Sequence, residues 1–177
     1  MENRIFKKLI HSSYMQGLRQ YWWNLFVNGF LMSYLVPVGF RRFILNFMGA
    51  KIKGALHGHS AILTTKLQLA EGSFINRNCF IDNNAMITIG RNCSIGYKVT
   101  LITANHSMEY CDKRGGENQP SPIDIHDGCW IGANSTILPG TIIEKGCVIA
   151  AGSVVKGTCK TNRLYAGVPA KEIRQLD

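Results

Sequence analysis

The stretch IHDGCWIGANSTILPGTIIEKGCVIAAGSVV (125–155) decides the fold. Ile125, Ile131, Ile137, Ile143, Ile149 and Val155 recur in it at every sixth position. Amphipathic helices repeat apolar residues near 3.6 and half-buried strands near 2, so six is the period of a repeat and not of one secondary-structure element. Three residues after each of the first five aliphatics stand Gly128, Asn134, Gly140, Gly146 and Gly152, the residue types that enter left-handed backbone conformation most cheaply. The next position is small: Cys129, Ser135, Thr141, Cys147 and Ser153. Each hexad therefore reads as a short strand plus a turn, and the run as a parallel β-helix.

Upstream, Leu63, Leu69, Ile75, Ile81 and Ile87 share the spacing, with Gly72, Asn78 and Asn84 at the turn position. After a two-residue offset, Ile89, Ile95 and Leu101 resume it, with Asn92 and Lys98 at the turn. Three hexads per triangular coil predict about four to five coils, stacked ~4.8 Å apart. Such a stack needs its ends covered. The expected organisation is a hydrophobic helical segment over 1–55, a β-helix over 56–170 and a short helix over 171–177. Between Leu101 and Ile125 the period vanishes, and the polar, Gly- and Pro-containing segment 102–124 reads as an extruded loop. A long insertion in a regular solenoid is where function is expected.

The 177 residues suffice for one domain with an appendage. With 46% apolar and 18% charged residues the chain is globular. A formal charge of +9 invites a nucleic-acid partner, but the Lys and Arg residues are scattered and no nucleic-acid motif is present. A basic chain equally suits an anionic small molecule or an anionic membrane surface. Cys79, Cys93, Cys129, Cys147 and Cys159 fall at the small position of a repeat and read as packing residues. That usage favours a reduced, cytoplasmic compartment. Cys111 lies outside the repeats.

From Tyr21 to Phe40 there is no charged residue. Asn24, Asn28, Gly29, Ser33, Pro37 and Gly39 interrupt the apolar run, which argues against a membrane span. The segment reads as one or two helices laying an aromatic face on the β-helix or on a neighbouring subunit. The alternative is a helix in the inner membrane interface, contacting it through residues 14–45 and flanked by Lys7, Lys8, Arg19, Arg41 and Arg42.

Asn76, ITIGRNCSIGYKVTLITANH (87–106), PIDIHDGCWIGANSTILPGTIIEKGCVIAAGSVV (122–155) and YAGVPAKEIRQL (165–176) together resemble the hexapeptide-repeat acetyltransferases, nearest the maltose and galactoside group. The likeness covers about residues 60 to 177. The pattern R-x-x-L-x-x-x-G from Arg42 to Gly49 is similar instead to relatives that acetylate surface polysaccharides. The resemblance implies a left-handed β-helix, a homotrimer, and acetyl-CoA as acyl donor in a groove between adjacent β-helices. It further implies direct transfer of the acetyl group to a hydroxyl of a sugar or glycan intermediate.

A hydroxyl is a poor nucleophile until its proton is being removed, and neutral imidazole can remove it. His106, in TANH, matches the family's catalytic histidine; Glu109, Asp124 or a backbone carbonyl could orient its other ring nitrogen. A backbone N–H near Ala133 would stabilise the oxyanion. Asn76 matches an acceptor-binding asparagine, and Asn84 an acceptor-binding position that is acidic in galactoside enzymes. Ala133 and Ala151 match backbones lining the CoA groove, Trp130 a tryptophan near the cofactor, and Lys156, Lys171 and Arg174 cations suited to its phosphates. Two other readings accompany this one: transfer to an amine or to serine, and a non-catalytic scaffold. His126 raises a zinc-dependent carbonic anhydrase of the γ class, which needs three converging histidines. The one close pair, His57 and His59, has no third partner at suitable spacing, so no metal is expected.

Overall fold

The structure is a computed structural model describing residues 14–109 and 111–177. Its short strands stack into three parallel sheets that form the faces of a β-helix. The first face carries Lys51–Ile52, Leu67–Leu69, Ile87–Ile89, Ile123–Ile125, Ile142–Ile143 and Thr158–Cys159. The second carries Ala55–Leu56, Phe74–Ile75, Ser94–Ile95, Trp130–Ile131, Val148–Ile149 and Arg163–Gly167, and the third Ala61–Ile62, Phe80–Asp82, Thr100–Ile102, Thr136–Ile137 and Val154–Val155. Five coils are complete, the upper end of the expected number, and a sixth is partial; the first begins at Lys51, ahead of the expected start. His57 and His59 therefore lie inside the first coil. Ile89 pairs with Ile125, Ile95 with Ile131 and Leu101 with Ile137, so the insertion, 103–122, leaves the stacking register intact.

The hexad rule is realised residue by residue. The inward aliphatics are buried, each contributing about 1.5–3 kcal/mol of transfer free energy. The turn residues Gly72, Asn78, Asn92, Lys98, Gly128, Asn134, Gly140, Gly146 and Gly152 all have positive φ, and Lys98 adopts +56° despite its Cβ. The small position has a second role. Its Sγ–H or Oγ–H reaches a carbonyl of the next coil: Ser60 to Asn76 O at 3.1 Å, Cys93 to His126 O at 3.0 Å, Ser135 to Ala150 O at 3.0 Å and Cys147 to Lys160 O at 2.9 Å. The column thus both fits the narrow corner and ties one coil to the next. Burial pushes the Cys79 and Cys147 thiols up and that of Cys159 to about 12, which keeps them protonated. Cys111 alone of the six is exposed.

Two upstream assignments are corrected. Ile62, not Leu63, is the inward residue of its strand. Asn84 does not occupy a left-handed turn. The two-residue offset is absorbed between the third and first faces, where first-face strands bury two aliphatics each, Leu67 with Leu69 and Ile87 with Ile89. Fully buried Asn83 fills that wider corner, accepting from the Leu63 and Thr64 N–H groups and donating to Thr64 O.

The helical segment covers the open first coil. An α-helix over 14–22 runs into the π-helical stretch Trp23–Leu31, where Met32 N–H bonds to Val27 O, and a second α-helix follows at Val38–Phe47. Val27, Leu31, Met32 and Leu45 are fully buried. Each of the three exposed strand edges receives a side-chain cap. Asn46 donates to Ile52 O and accepts from Ile52 N–H at 2.8 and 2.7 Å on the first face. Arg41 donates to Leu56 O at 2.6 Å on the second. On the third, Trp23 Nε1–H donates to Ile62 O at 2.6 Å and Asn28 accepts from Ile62 N–H at 3.0 Å. Arg41 is only 2% exposed and also donates to Leu31, Ser33 and Val36 carbonyls. It is therefore a structural cap and not one of the cations flanking a membrane helix.

The terminal helix expected over 171–177 is instead the strand Ala170–Gln175, antiparallel to Arg163–Gly167. Pairing with that open edge satisfies backbone groups of both strands, and this tertiary gain overrides a weak helical pattern.

Arg41→Met is expected to destabilise the protein by about 3 kcal/mol or more, because it leaves the buried Leu31, Val36 and Leu56 carbonyls without donors; an unchanged denaturation midpoint would refute the capping role. A thiol reagent should label one cysteine quickly in the native protein and the other five only after unfolding.

Candidate active site

A groove of about 480 Å³ follows the corner between the second and third faces. Its floor is the position directly after each inward aliphatic: Asn76, Gly96, Gly132 and Ala150 on successive coils. A Cβ on Gly132 would stand 2.5 Å from Ala151 N, and one on Gly96 2.8 Å from Ala133 N. Close coil stacking therefore requires glycine at both positions and leaves the floor bare. Trp130, 58% exposed, with Phe74 and Val148 forms one wall, and Tyr97, Ala133 and Ala151 the other. The flanking amides are occupied, Gly132 N–H by Ile149 O and Asn134 N–H by Tyr97 O. Among the described residues the Ala133 and Ala151 amides donate to no group. They are free to meet an oxyanion or amide oxygen in the groove.

The two ends of the groove differ. Asn76 closes the end nearer the helical cap, its Oδ1 accepting from Arg77 N–H. Beyond it, on the first coil, His57 packs edge-on against Phe74, with ring centroids 6.3 Å apart. Burial, with Arg77 and Arg41 adding repulsion, holds the His57 imidazole below its ordinary pKa. At the opposite end the floor column continues through Ala166, which pairs with Lys171, while Leu164 pairs with Arg174. The terminal strand thus sets two cations one strand beyond the groove.

His106 sits on the insertion, whose two limbs pair as an antiparallel ladder. Ser107 N–H bonds to Glu117 O, Gly116 N–H to Ser107 O, Gln119 N–H to Asn105 O and Ser121 N–H to Thr103 O. The exposed imidazole lies with Nδ1 3.0 Å from Gly116 O. A carbonyl only accepts, so Nδ1 carries the hydrogen and Nε2 keeps a free lone pair. The orienting partner is thus a backbone carbonyl, and neither Glu109 nor Asp124 bonds to the ring. A Cβ on Gly116 would stand 2.3 Å from Ser107 Oγ, so glycine lets the limbs approach closely enough to place that carbonyl.

Asn76, Trp130, Ala133 and Ala151 are brought together on one groove, with Lys171 and Arg174 beyond its end. Lys156 follows the last third-face strand, away from the groove. Asn84 lies at the same corner, donating to Asp82 Oδ1 and accepting from Lys66 Nζ. The insertion also leaves from that corner, so His106 does not line its own chain's groove. His126 donates its N–H to Ile143 O, and among the described residues no cluster of three His, Cys, Asp or Glu could hold a metal ion. Tyr97 was overlooked as a wall residue although the period marks it: it precedes Lys98 as Ala133 precedes Asn134 and Ala151 precedes Gly152. Gly116 carried no signal, because its role lies in a carbonyl placed by the loop's own pairing.

Residues 122–157 match the family described as bacterial transferase hexapeptide (six repeats). An Escherichia coli K12 protein named for lipopolysaccharide biosynthesis O-acetyl transfer is 38% identical over 112 residues, covering 58% of this chain and 57% of that protein. The galactoside O-acetyltransferase of the same organism is 33% identical over 113 residues, covering 64% and 56%. A Vibrio cholerae hexapeptide-repeat acetyltransferase solved with acetyl coenzyme A superposes with a TM-score of 0.73 at 29% identity, over 83% of this chain and 81% of that one. The chain spans little more than half the length of these two curated relatives. In sequence and in fold alike, the chain is similar to the hexapeptide-repeat acetyltransferases.

Proposed function

We propose that the protein transfers an acetyl group from acetyl-CoA to a hydroxyl of a sugar or glycan intermediate, with His106 as general base, and that it works as a homotrimer. The observation that carries this reading is the Nδ1–H···O=C bond from His106 to Gly116, which fixes the tautomer with Nε2 free on an exposed, ordered limb. In the reaction Nε2 takes the acceptor hydroxyl proton as the oxygen bonds to the thioester carbonyl carbon. The carbon–sulfur bond then breaks, and the imidazolium returns the proton to the departing thiolate. No acyl-enzyme is needed.

The groove supports the donor site. Its floor, bare at Gly96 and Gly132, suits an extended thioester arm, Lys171 and Arg174 lie at the end where phosphates would be neutralised, and the free Ala133 amide can stabilise the oxyanion. Asn76, at the other end, is the acceptor contact. Because the insertion leaves one corner and the groove follows another, a complete site takes His106 from one subunit and the groove from its neighbour. Sugar acceptors and bound acetyl-CoA among the relatives favour a hydroxyl acceptor.

His106→Ala should lower acetyl transfer by about 10²–10⁴-fold while CoA binding persists; turnover at the parent rate would remove the base assignment. In mixed trimers of His106→Ala with an Ala151→Trp chain whose groove is blocked from its wall, activity should partly return. Mixtures as inactive as their parents would show that each chain holds a whole site.

A further inference from the structure

The helical segment leaves a large apolar surface on the side away from its caps. On Val38–Phe47, Phe40, Phe43 and Phe47 are 51%, 65% and 84% exposed at positions i, i+3 and i+7. On the first helix and its π-helical extension, Leu18, Trp22, Leu25 and Phe26 are each at least 40% exposed. Leu35, in the connection, is 89% exposed. An open, almost wholly apolar cleft of about 560 Å³ links the two helices through Trp22, Phe26, Phe30 and Met48, and Arg19 is the one charged residue in its lining. Patches of this kind on a folded domain mark a docking face.

Charge identifies the occupant. From Tyr14 to Ala70 there are six Lys or Arg and no Asp or Glu. From Glu71 to Asp177 eleven Lys or Arg face ten Asp or Glu, a net charge of +1. The positive charge of the protein is therefore gathered at one end of the β-helix, around the aromatic face. Arg41 is consumed as a cap, leaving Arg19, Arg42, Lys51, Lys53 and Lys66 exposed. A face without any anion repels a second copy of itself, whereas it attracts anionic headgroups while its aromatic residues enter the interface. No helix among the described residues is long and apolar enough to cross a membrane.

We propose that this end of the β-helix docks peripherally on an anionic lipid bilayer, with Phe43, Phe47, Leu35 and Trp22 inserted at headgroup depth and the five exposed cations against lipid phosphates. The inference does not rest on the acetyl-transfer reading. If both hold, the Asn76 end of the groove lies toward the bilayer.

The test is flotation of the whole protein with vesicles of phosphatidylcholine alone or mixed with phosphatidylglycerol, at low and high salt. Binding is expected to the mixed vesicles, weakened by salt, and about fivefold weaker for each of Arg19→Gln and Lys51→Gln. Phe43→Ser with Phe47→Ser should abolish it with unfolding midpoint and oligomer size unchanged. No binding to mixed vesicles overturns the proposal, as does parent-like flotation of the double variant. A fall of that variant to a smaller oligomer also overturns it, because a second copy would then cover the face. Leu35→Ser, in an exposed connection with no cap, supplies the same readout should the double variant fail to fold.

Discussion

Everything in this fold depends on closing the ends of a stack that has no internal reason to stop. Inside the β-helix each coil satisfies the backbone of the next, and the inward aliphatics repeat identically, so the interior carries no information about where it begins. An uncovered first coil would present three rows of unpaired N–H and C=O groups, a template for further pairing. The protein closes them with particular side chains, Asn46 on Ile52, Arg41 on Leu56, and Trp23 with Asn28 on Ile62. Arg41 suits the task because a guanidinium carries five donors, and the four carbonyls it meets include Leu31 O at the C-terminal end of the π-helical stretch, where the helix dipole favours a cation. At the other end Val154–Val155 and Thr158–Cys159 remain the last strands of their sheets, and only the second face is closed, by backbone. The chain doubles back, and Ala170–Gln175 supplies backbone to backbone.

Stacking also produces the site. The rise between coils is so tight at Gly96 and Gly132 that a side chain would meet backbone of the next coil. The same condition that lets the coils approach leaves a bare channel along one corner and frees the Ala133 and Ala151 amides, which fall between ladder bonds. On the proposed reading the donor groove follows from the repeat, and the base comes from outside it. The paired, two-limbed insertion holds its imidazole clear of the wall, and the Gly116 carbonyl orients the ring.

Periodicity made the interior legible. The turn glycines and asparagines, the buried cysteines and even Lys98 at a left-handed turn follow from counting by six, and the resemblance located Asn76, Trp130, Ala133 and Ala151 on what proves to be one groove. Counting failed where the structure departs from it. Leu63 seemed inward because the widened corner filled by Asn83 shifts the phase by a residue, and Asn84 seemed a turn for the same reason. The terminal strand was misread because its partner edge exists only in three dimensions. Arg41 looked like a surface cation because no periodic signal marks a residue whose partners are three carbonyls of its own helical segment and one of the first coil.

The helical segment presents apolar residues on two sides, divided on the first helix by the polar stripe Gln20, Asn24 and Asn28, whose side chains bond to one another. Its inner side is accounted for by Val27, Leu31 and the caps. These tie it to the first coil so closely that it cannot swing away without exposing three strand edges. The outer aromatic face is therefore presented rigidly, in fixed relation to the groove, and does not lie on a tether. A surface held in that way determines orientation as well as attachment: whatever covers it also sets the direction in which the Asn76 end of the groove points.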